Sequence, residues 1–205
     1  MKRVFDVTVS GLGLVMTSPL ILAAAIAVKL NSRGPAFYKG PRVGREGRVF
    51  HIYKLRTMHV GADGAGPAVT SAGDLRVTAV GRLLRRTKAD ELPQLLNVLK
   101  GDMSLVGPRP EHPEYVRHYP PDLRDSLSVR PGMTGPSALA FIDEEEMLEG
   151  ADPESAYIER IMPRKLALDR EYVRTASFAG DLRILLRTAG LVVTRPFKSR
   201  GTPRR

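Results

Sequence analysis

The sequence predicts an α+β protein: a mainly helical, membrane-associated domain with a small β-hairpin, entered through one apolar helix. Three observations lead there. From Val7 to Val28 no residue is charged, which is long enough for a helix in a bilayer core. Residues 36 to 43 and 48 to 55 are short β-prone runs joined through Gly44-Arg-Glu-Gly47. Prolines, glycines and capping residues divide the remainder into short amphipathic helices.

The totals narrow the function classes. No cysteine is present, which excludes disulfides, zinc-thiolate sites and thiol catalysis. A net charge of +10 in 205 residues calls for an anionic partner: nucleic acid, anionic lipid or a phosphorylated substrate. The length suits residues 1–30 as a membrane helix and 31–205 as one domain at the cytoplasmic face.

Lys2 and Arg3 precede the uncharged segment, and Lys29, Arg33, Lys39, Arg42, Arg45 and Arg48 follow it. Positive charge at both ends keeps both ends in the cytoplasm, so the segment reads as a re-entrant helix in one leaflet. Proline removes a helical hydrogen bond, which places a kink at Ser18-Pro19. A straight span and a signal peptide ending near Ala23-Ala24-Ala25 are the alternatives, and Asp6 fits poorly with either.

Asn31-Ser-Arg-Gly-Pro35 is a turn into the hairpin, whose second strand carries Lys54 near its end. Residues Val60 to Gly73, rich in small residues, read as a mobile surface loop, and Gly61-Ala-Asp-Gly-Ala-Gly66 lacks the ending of a nucleotide-binding P-loop. A basic helix follows from Val80, with Val80, Leu83 and Leu84 turned inward.

Next comes the stretch with the most chemistry, Thr87 to Glu111. Asp90 reads as an N-cap, Pro93 falls in the first turn, and Lys100 and Gly101 end a helix buried through Leu92, Leu95, Leu96, Val98 and Leu99. The plain reading of Asp90 and Glu91 is a cap and a favourable helix-dipole charge. However, Arg82, Arg85, Arg86 and Lys88 lie upstream, and Arg109 stands downstream between two prolines. Carboxylates among so many cations stay ionised, and the same cations suit phosphate oxygens. That combination fits a carboxylate nucleophile attacking phosphorus.

His112 begins a short helix, and neither it nor His118 has a metal-ligand set around it. The acidic run Asp143-Glu-Glu-Glu146 reads as a solvated helix face, and the helical region from Pro153 as broken at Pro163. From Asp181, itself an ordinary N-cap, Leu182, Leu185, Leu186, Ala189, Val192 and Val193 mark one helix face. Core packing is the default for that helix; an interfacial helix, favoured by flanking arginines and Phe197, is the alternative. The tail from Lys198 to Arg205 is basic and expected to be disordered.

The run Asp90-Glu-Leu-Pro-Gln-Leu-Leu-Asn-Val-Leu-Lys-Gly-Asp-Met-Ser-Leu-Val-Gly-Pro-Arg-Pro110 resembles the signature of the bacterial sugar transferases, the minimal monotopic phosphoglycosyl transferases. Two further stretches are similar: His51-Ile-Tyr-Lys-Leu-Arg-Thr-Met58, with Leu55 in an aromatic place, and Arg130-Pro-Gly-Met-Thr-Gly135. The resemblance implies a re-entrant helix bent at Ser18-Pro19, a UDP-sugar donor, attack by Asp90, loss of UMP, and a phosphosugar carried on the aspartate. A polyprenol phosphate, undecaprenyl phosphate by preference, then takes the phosphosugar in a ping-pong sequence. It further implies Mg2+ on Glu91, and Lys54, Arg85, Arg109, Glu111, Arg130 and Asp181 as substrate contacts. The setting implied is the cytoplasmic face of a bacterial inner membrane, at the first membrane step of exopolysaccharide, capsule, O-antigen or glycoprotein glycan assembly. A homodimer is compatible with the sequence, which carries no signal that decides it.

Departures fall at Gly40, at Pro136 where the family has tryptophan, and at the acidic run, all among the sugar and nucleotide contacts. The rival readings are a basic nucleic-acid-binding protein, which leaves the uncharged segment unused, and a noncatalytic membrane scaffold, which leaves the Asp-Glu helix unused. No nucleic acid is expected as partner.

Overall fold

A computed structural model describes residues 1–148 and 152–194, so the expectations for Phe197 and the basic tail lie outside the described residues. The chain opens with helix α1, Lys2–Asn31, unbroken across Pro19. The proline removes the N–H that would reach the carbonyl of Val15, and Ser18 Oγ donates to that same carbonyl at 2.8 Å. Thr17 Oγ1 likewise donates to Gly13 O at 2.7 Å. Small residues turn one face of α1 to the protein, with Asp6, Ser10, Ala24, Ala25 and Val28 buried. Val4, Leu12, Val15, Met16, Leu20, Leu22, Ile26 and Leu30 are exposed.

Asp6 belongs to the protein interior. It is buried, accepting from Ser104 Oγ at 2.8 Å and from the N–H of Leu105 at 3.2 Å. Lys2 pairs with Asp181, while Arg3 donates to the carbonyls of Val98 and Leu99 at 2.6 and 2.9 Å. At the other end Arg56 donates to the carbonyls of Arg33 and Ser32 at 2.5 and 2.9 Å. Both ends of α1 are therefore fastened to the domain.

Strands β1 (Phe37–Val43) and β2 (Val49–Leu55) form the expected antiparallel hairpin, in register from Phe37 opposite Leu55 to Val43 opposite Val49. Ile52 joins a core cluster with Leu95, Val98, Met103, Leu105, Val106 and Tyr172, whereas Leu55 joins another with Ala24, Ala25, Val28 and Leu84. The hairpin thus ties two cores together.

The stretch 60–73 lies mostly at the surface and is anchored at Pro67 and Val69. Arg76, fixed by Asp74 at 2.7 Å, donates to the carbonyls of Pro67 and Val69 at 2.9 and 3.2 Å, and Val69 is part of a third core around Tyr115, Tyr157 and Leu166. Helix α2 (Ala79–Thr87) is capped by Thr78, whose hydroxyl accepts from Gly81 N at 2.9 Å. Leu84 faces inward as expected, but Leu83 is exposed.

A tight turn, Ala89–Gln94, leads into helix α3 (Leu95–Lys100), which ends at Gly101 with φ of 94°. Strand β3 (Ser104–Val106), the short helix α4 (Pro113–Val116) and strand β4 (Gly132–Thr134) follow, β3 and β4 pairing in parallel. A Cβ on Gly132 would lie 2.1 Å from Gly107 N, so that crossing requires glycine. Helices α5 (Pro136–Ala140), α6 (Glu144–Met147) and α7 (Pro153–Ala156) are single turns. Pro163 does not break the next helix. It stands in the first turn of α8 (Met162–Thr175), after a π-helical turn over Tyr157–Ile161. Helix α9 (Phe178–Thr194) packs Ile184 and Leu185 against the core and leaves Leu182, Leu186 and Val193 exposed.

Candidate active site

Lys88 ends α2 in the left-handed conformation, with φ of 58°. The reversal there turns the following residues toward the interior. Asp90 is consequently not a helix cap: it lies in the Ala89–Gln94 turn, 6% exposed, and among the described residues its Oδ1 has no hydrogen-bond partner. Burial raises its pKa against the attraction of Lys54, Lys88 and Arg85, so this carboxylate is not kept ionised as firmly as its cationic neighbours suggest.

Glu91 behaves oppositely. Burial alone would raise its pKa, but Lys54, Arg109 and Lys88 hold it well below the usual range. Lys54 Nζ from the end of β2 reaches Glu91 Oε1 at 2.8 Å, and Arg109 Nη2 reaches the same atom at 3.0 Å. Attraction to Glu91 in turn raises the pKa of Arg109, while burial lowers that of Lys88.

These side chains line a cavity of about 840 Å³, with Arg85 and Glu111 also on its wall. Glu111 accepts from Tyr157 O–H and from His112 N, the latter at 2.9 Å, and its own carbonyl receives Val43 N at 2.9 Å. Lys165 Nζ donates to Tyr157 Oη at 3.0 Å and to Glu144 at 2.7 Å. The acidic run is only in part a solvated face: Asp143 and Glu146 are exposed, whereas Glu144 and Glu145 border the cavity, and Glu145 accepts from Arg85 Nε at 2.9 Å. Apolar side chains line the cavity as well, among them Leu20 of α1, Leu83 of α2, and Leu185, Val192 and Val193 of α9.

Six of the residues expected at a site come together: Lys54, Arg85, Asp90, Glu91, Arg109 and Glu111. Two do not. Arg130 points away, its Nε donating to Gly101 O at 2.9 Å. Asp181 is no N-cap and no cavity group: it is buried in the first turn of α9, where it accepts from Lys2 and, at 2.7 Å, from Tyr172. The sequence gives little notice of Lys165 and Tyr157, because Lys165 meets Glu144 from 21 residues away and Tyr157 meets Glu111 from 46, separations that leave no periodic trace.

A magnesium ion asks for oxygen ligands and is commonly held by one or two carboxylates together with substrate phosphates. Among the described residues no group of three or more His, Cys, Asp or Glu side chains could hold a metal unaided. The unpartnered Oδ1 of Asp90 beside the Glu91 carboxylate nevertheless fits an ion whose remaining ligands are phosphate and water.

A sequence profile for bacterial sugar transferases matches residues 1–195. A UDP-glucose:undecaprenyl-phosphate glucose-1-phosphate transferase of Caulobacter vibrioides is 44% identical over 196 residues, covering 94% of this chain and 70% of that protein. An undecaprenyl-phosphate glucose phosphotransferase of Komagataeibacter xylinus is 38% identical over 195 residues, 91% of this chain and 35% of that protein. A putative undecaprenyl-phosphate N-acetylgalactosaminyl 1-phosphate transferase of Bacillus subtilis is 46% identical over 118 residues, 58% of this chain and 66% of that protein. The chain thus spans about a third of the second relative and about two thirds of the other two.

Proposed function

The chain belongs to the bacterial sugar transferase family, and from that premise we propose that it is a phosphoglycosyl transferase, moving a sugar phosphate from a UDP-sugar to undecaprenyl phosphate. The observation that carries this reading is the buried, unpartnered Asp90 oxygen beside a Glu91 fixed by two cations, in a cavity lined by both charged and apolar side chains.

In the first step a carboxylate oxygen of Asp90 bonds to the phosphorus that carries the sugar, and the bond from that phosphorus to the bridging oxygen breaks, so that UMP leaves with the electron pair. In the second step an oxygen of the polyprenol phosphate attacks the same phosphorus, the Asp90 carboxylate departs, and polyprenol diphosphosugar forms. Arg85, Lys54, Lys88 and Arg109 supply positive charge toward the donor phosphates, and Glu91 keeps Lys54 and Arg109 directed at the reacting centre. Mg2+, held by Glu91 and the donor phosphates, would offset negative charge on the diphosphate as the leaving group departs.

The acceptor's chain reaches the cavity past the apolar side chains that α1 and α9 contribute to its lining. The exposed apolar side of α1, basic at both ends, lies in the cytoplasmic leaflet of a bacterial inner membrane. Purified protein in lipid with Mg2+, undecaprenyl phosphate and a panel of UDP-sugars tests the reading. UMP release is expected, and Asp90→Asn should fold normally and release none. Release of UDP instead, or an active Asp90→Asn protein, would overturn it.

A further inference from the structure

The loop from Gly107 to Glu111 delivers Arg109 to Glu91. Proline has no N–H, so Arg109 supplies the sole backbone donor of Pro108-Arg109-Pro110. That donor meets Oδ2 of Asp169, on α8, at 3.3 Å. From the other side the carbonyl of Pro108 accepts from Gly132 N at 2.8 Å. With φ of both prolines limited by their rings, these two bonds fix where the segment lies.

Asp169 is 4% exposed, and among the described residues its Oδ1 has no hydrogen-bond partner. Packing of α8 does not call for a charge at this point, since Leu166 and Tyr172, three residues to either side, belong to the cores. The polar and charged groups that face the carboxylate are Ser137 of α5, the Arg109 backbone, Lys165 and Tyr172 of its own helix, and Tyr119. A buried carboxylate with one oxygen unpaired costs free energy that an apolar side chain would not. What an apolar side chain could not do is accept the Arg109 N–H.

We propose that Asp169 is a positioning residue for the transfer reaction: it holds the Arg109 backbone where the guanidinium meets Glu91 Oε1, the atom that Lys54 also reaches. The proposal rests on the phosphoglycosyl transferase reading above. Displacing Arg109 by about 1 Å is sufficient to lower the rate on the order of 100-fold.

Steady-state UMP release by wild type, Asp169→Ala, Asp169→Asn, Arg109→Ala and the Asp169→Ala, Arg109→Ala double variant tests this, above the titration range of Asp169. Asp169→Ala is expected to lower kcat on the order of 100-fold and change donor KM less than about threefold. Asn keeps an oxygen acceptor and should recover most of that loss; Ala should add little once Arg109 is gone. An Asn variant no better than Ala, or losses that multiply in the double variant, would overturn the proposal. So would an Ala variant that melts early while keeping its kcat.

Should Asp169→Ala fail to fold, the Arg109 amide decides without it. In protein labelled with 15N-arginine, that amide resonance should titrate with a midpoint at about 6 in wild type and be flat in Asp169→Asn. A resonance indifferent to pH in active wild type would overturn the positioning role alone. A wild type that releases no UMP would instead overturn the transfer reading.

Discussion

At neutral pH Asp169 carries its charge against its own burial. Desolvation raises its pKa to about 6, while the nearby Ser137, the Arg109 N–H and the charge of Lys165 pull it back. Because the folded value lies above that of the unfolded chain, the favourable contribution of this group is complete below the unfolded pKa and is lost as pH rises through about 6. A shift of this size corresponds to about 3 kcal/mol. Asp169→Asn removes the titration, so its melting temperature relative to wild type should climb between about pH 4 and pH 6 and level off above about pH 7. A constant difference across that range would show that Asp169 has no raised pKa.

Among the elements, α3 and the hairpin pack through Ile52, Leu95 and Val98, and one buried side chain bonds to the strand backbone. Asn97 is fully buried; its Oδ1 accepts from Tyr53 N at 3.0 Å and its Nδ2 donates to His51 O at 2.8 Å, continuing the edge of β2 as a third strand would. Asn97→Leu strips both bonds and leaves two strand groups unpaired, a loss of about 3 kcal/mol, readable in urea unfolding. An unchanged midpoint would mean that water satisfies that edge. The hairpin, α2, α3 and α9 were legible in the sequence because each rests on local signals: β-prone runs around a Gly-containing turn, a periodic apolar face, or a helix closed by Gly101. So were Lys54, Arg85, Asp90, Glu91, Arg109 and Glu111 as a group, through motif resemblance and charge density. What escaped is non-local. The acidic turn looked solvated because Lys165, its partner, comes 21 residues after Glu144. The motif resemblance places Arg130 near the substrate, whereas its Nε donates to Gly101 O, 29 residues away, a partner the motif does not announce. The role of Asp90 as cap failed on one backbone angle, at Lys88, which a lysine does not advertise.

For the whole molecule the decisive arrangement is that α1 is tied down at both ends, by Lys2 and Arg3 near its start and through Arg56 near its finish. Lys2→Met leaves Asp181 with Tyr172 as its remaining partner and should loosen the first turns of α1. Amide hydrogen exchange would then quicken around residues 5 to 8 while residues 25 to 31 stay protected. Equal acceleration along the whole helix would mean that its two fastenings act as one. Because Ala24, Ala25 and Val28 complete a core with Leu55 and Leu84, and Leu20 lines the cavity, α1 serves as interior as well as anchor. This architecture is not modular. Cutting at residue 31 would not liberate a water-soluble catalyst, since it would open a core and take away one side of the reaction chamber, and exchanging α1 for a foreign anchor would meet the same obstacle.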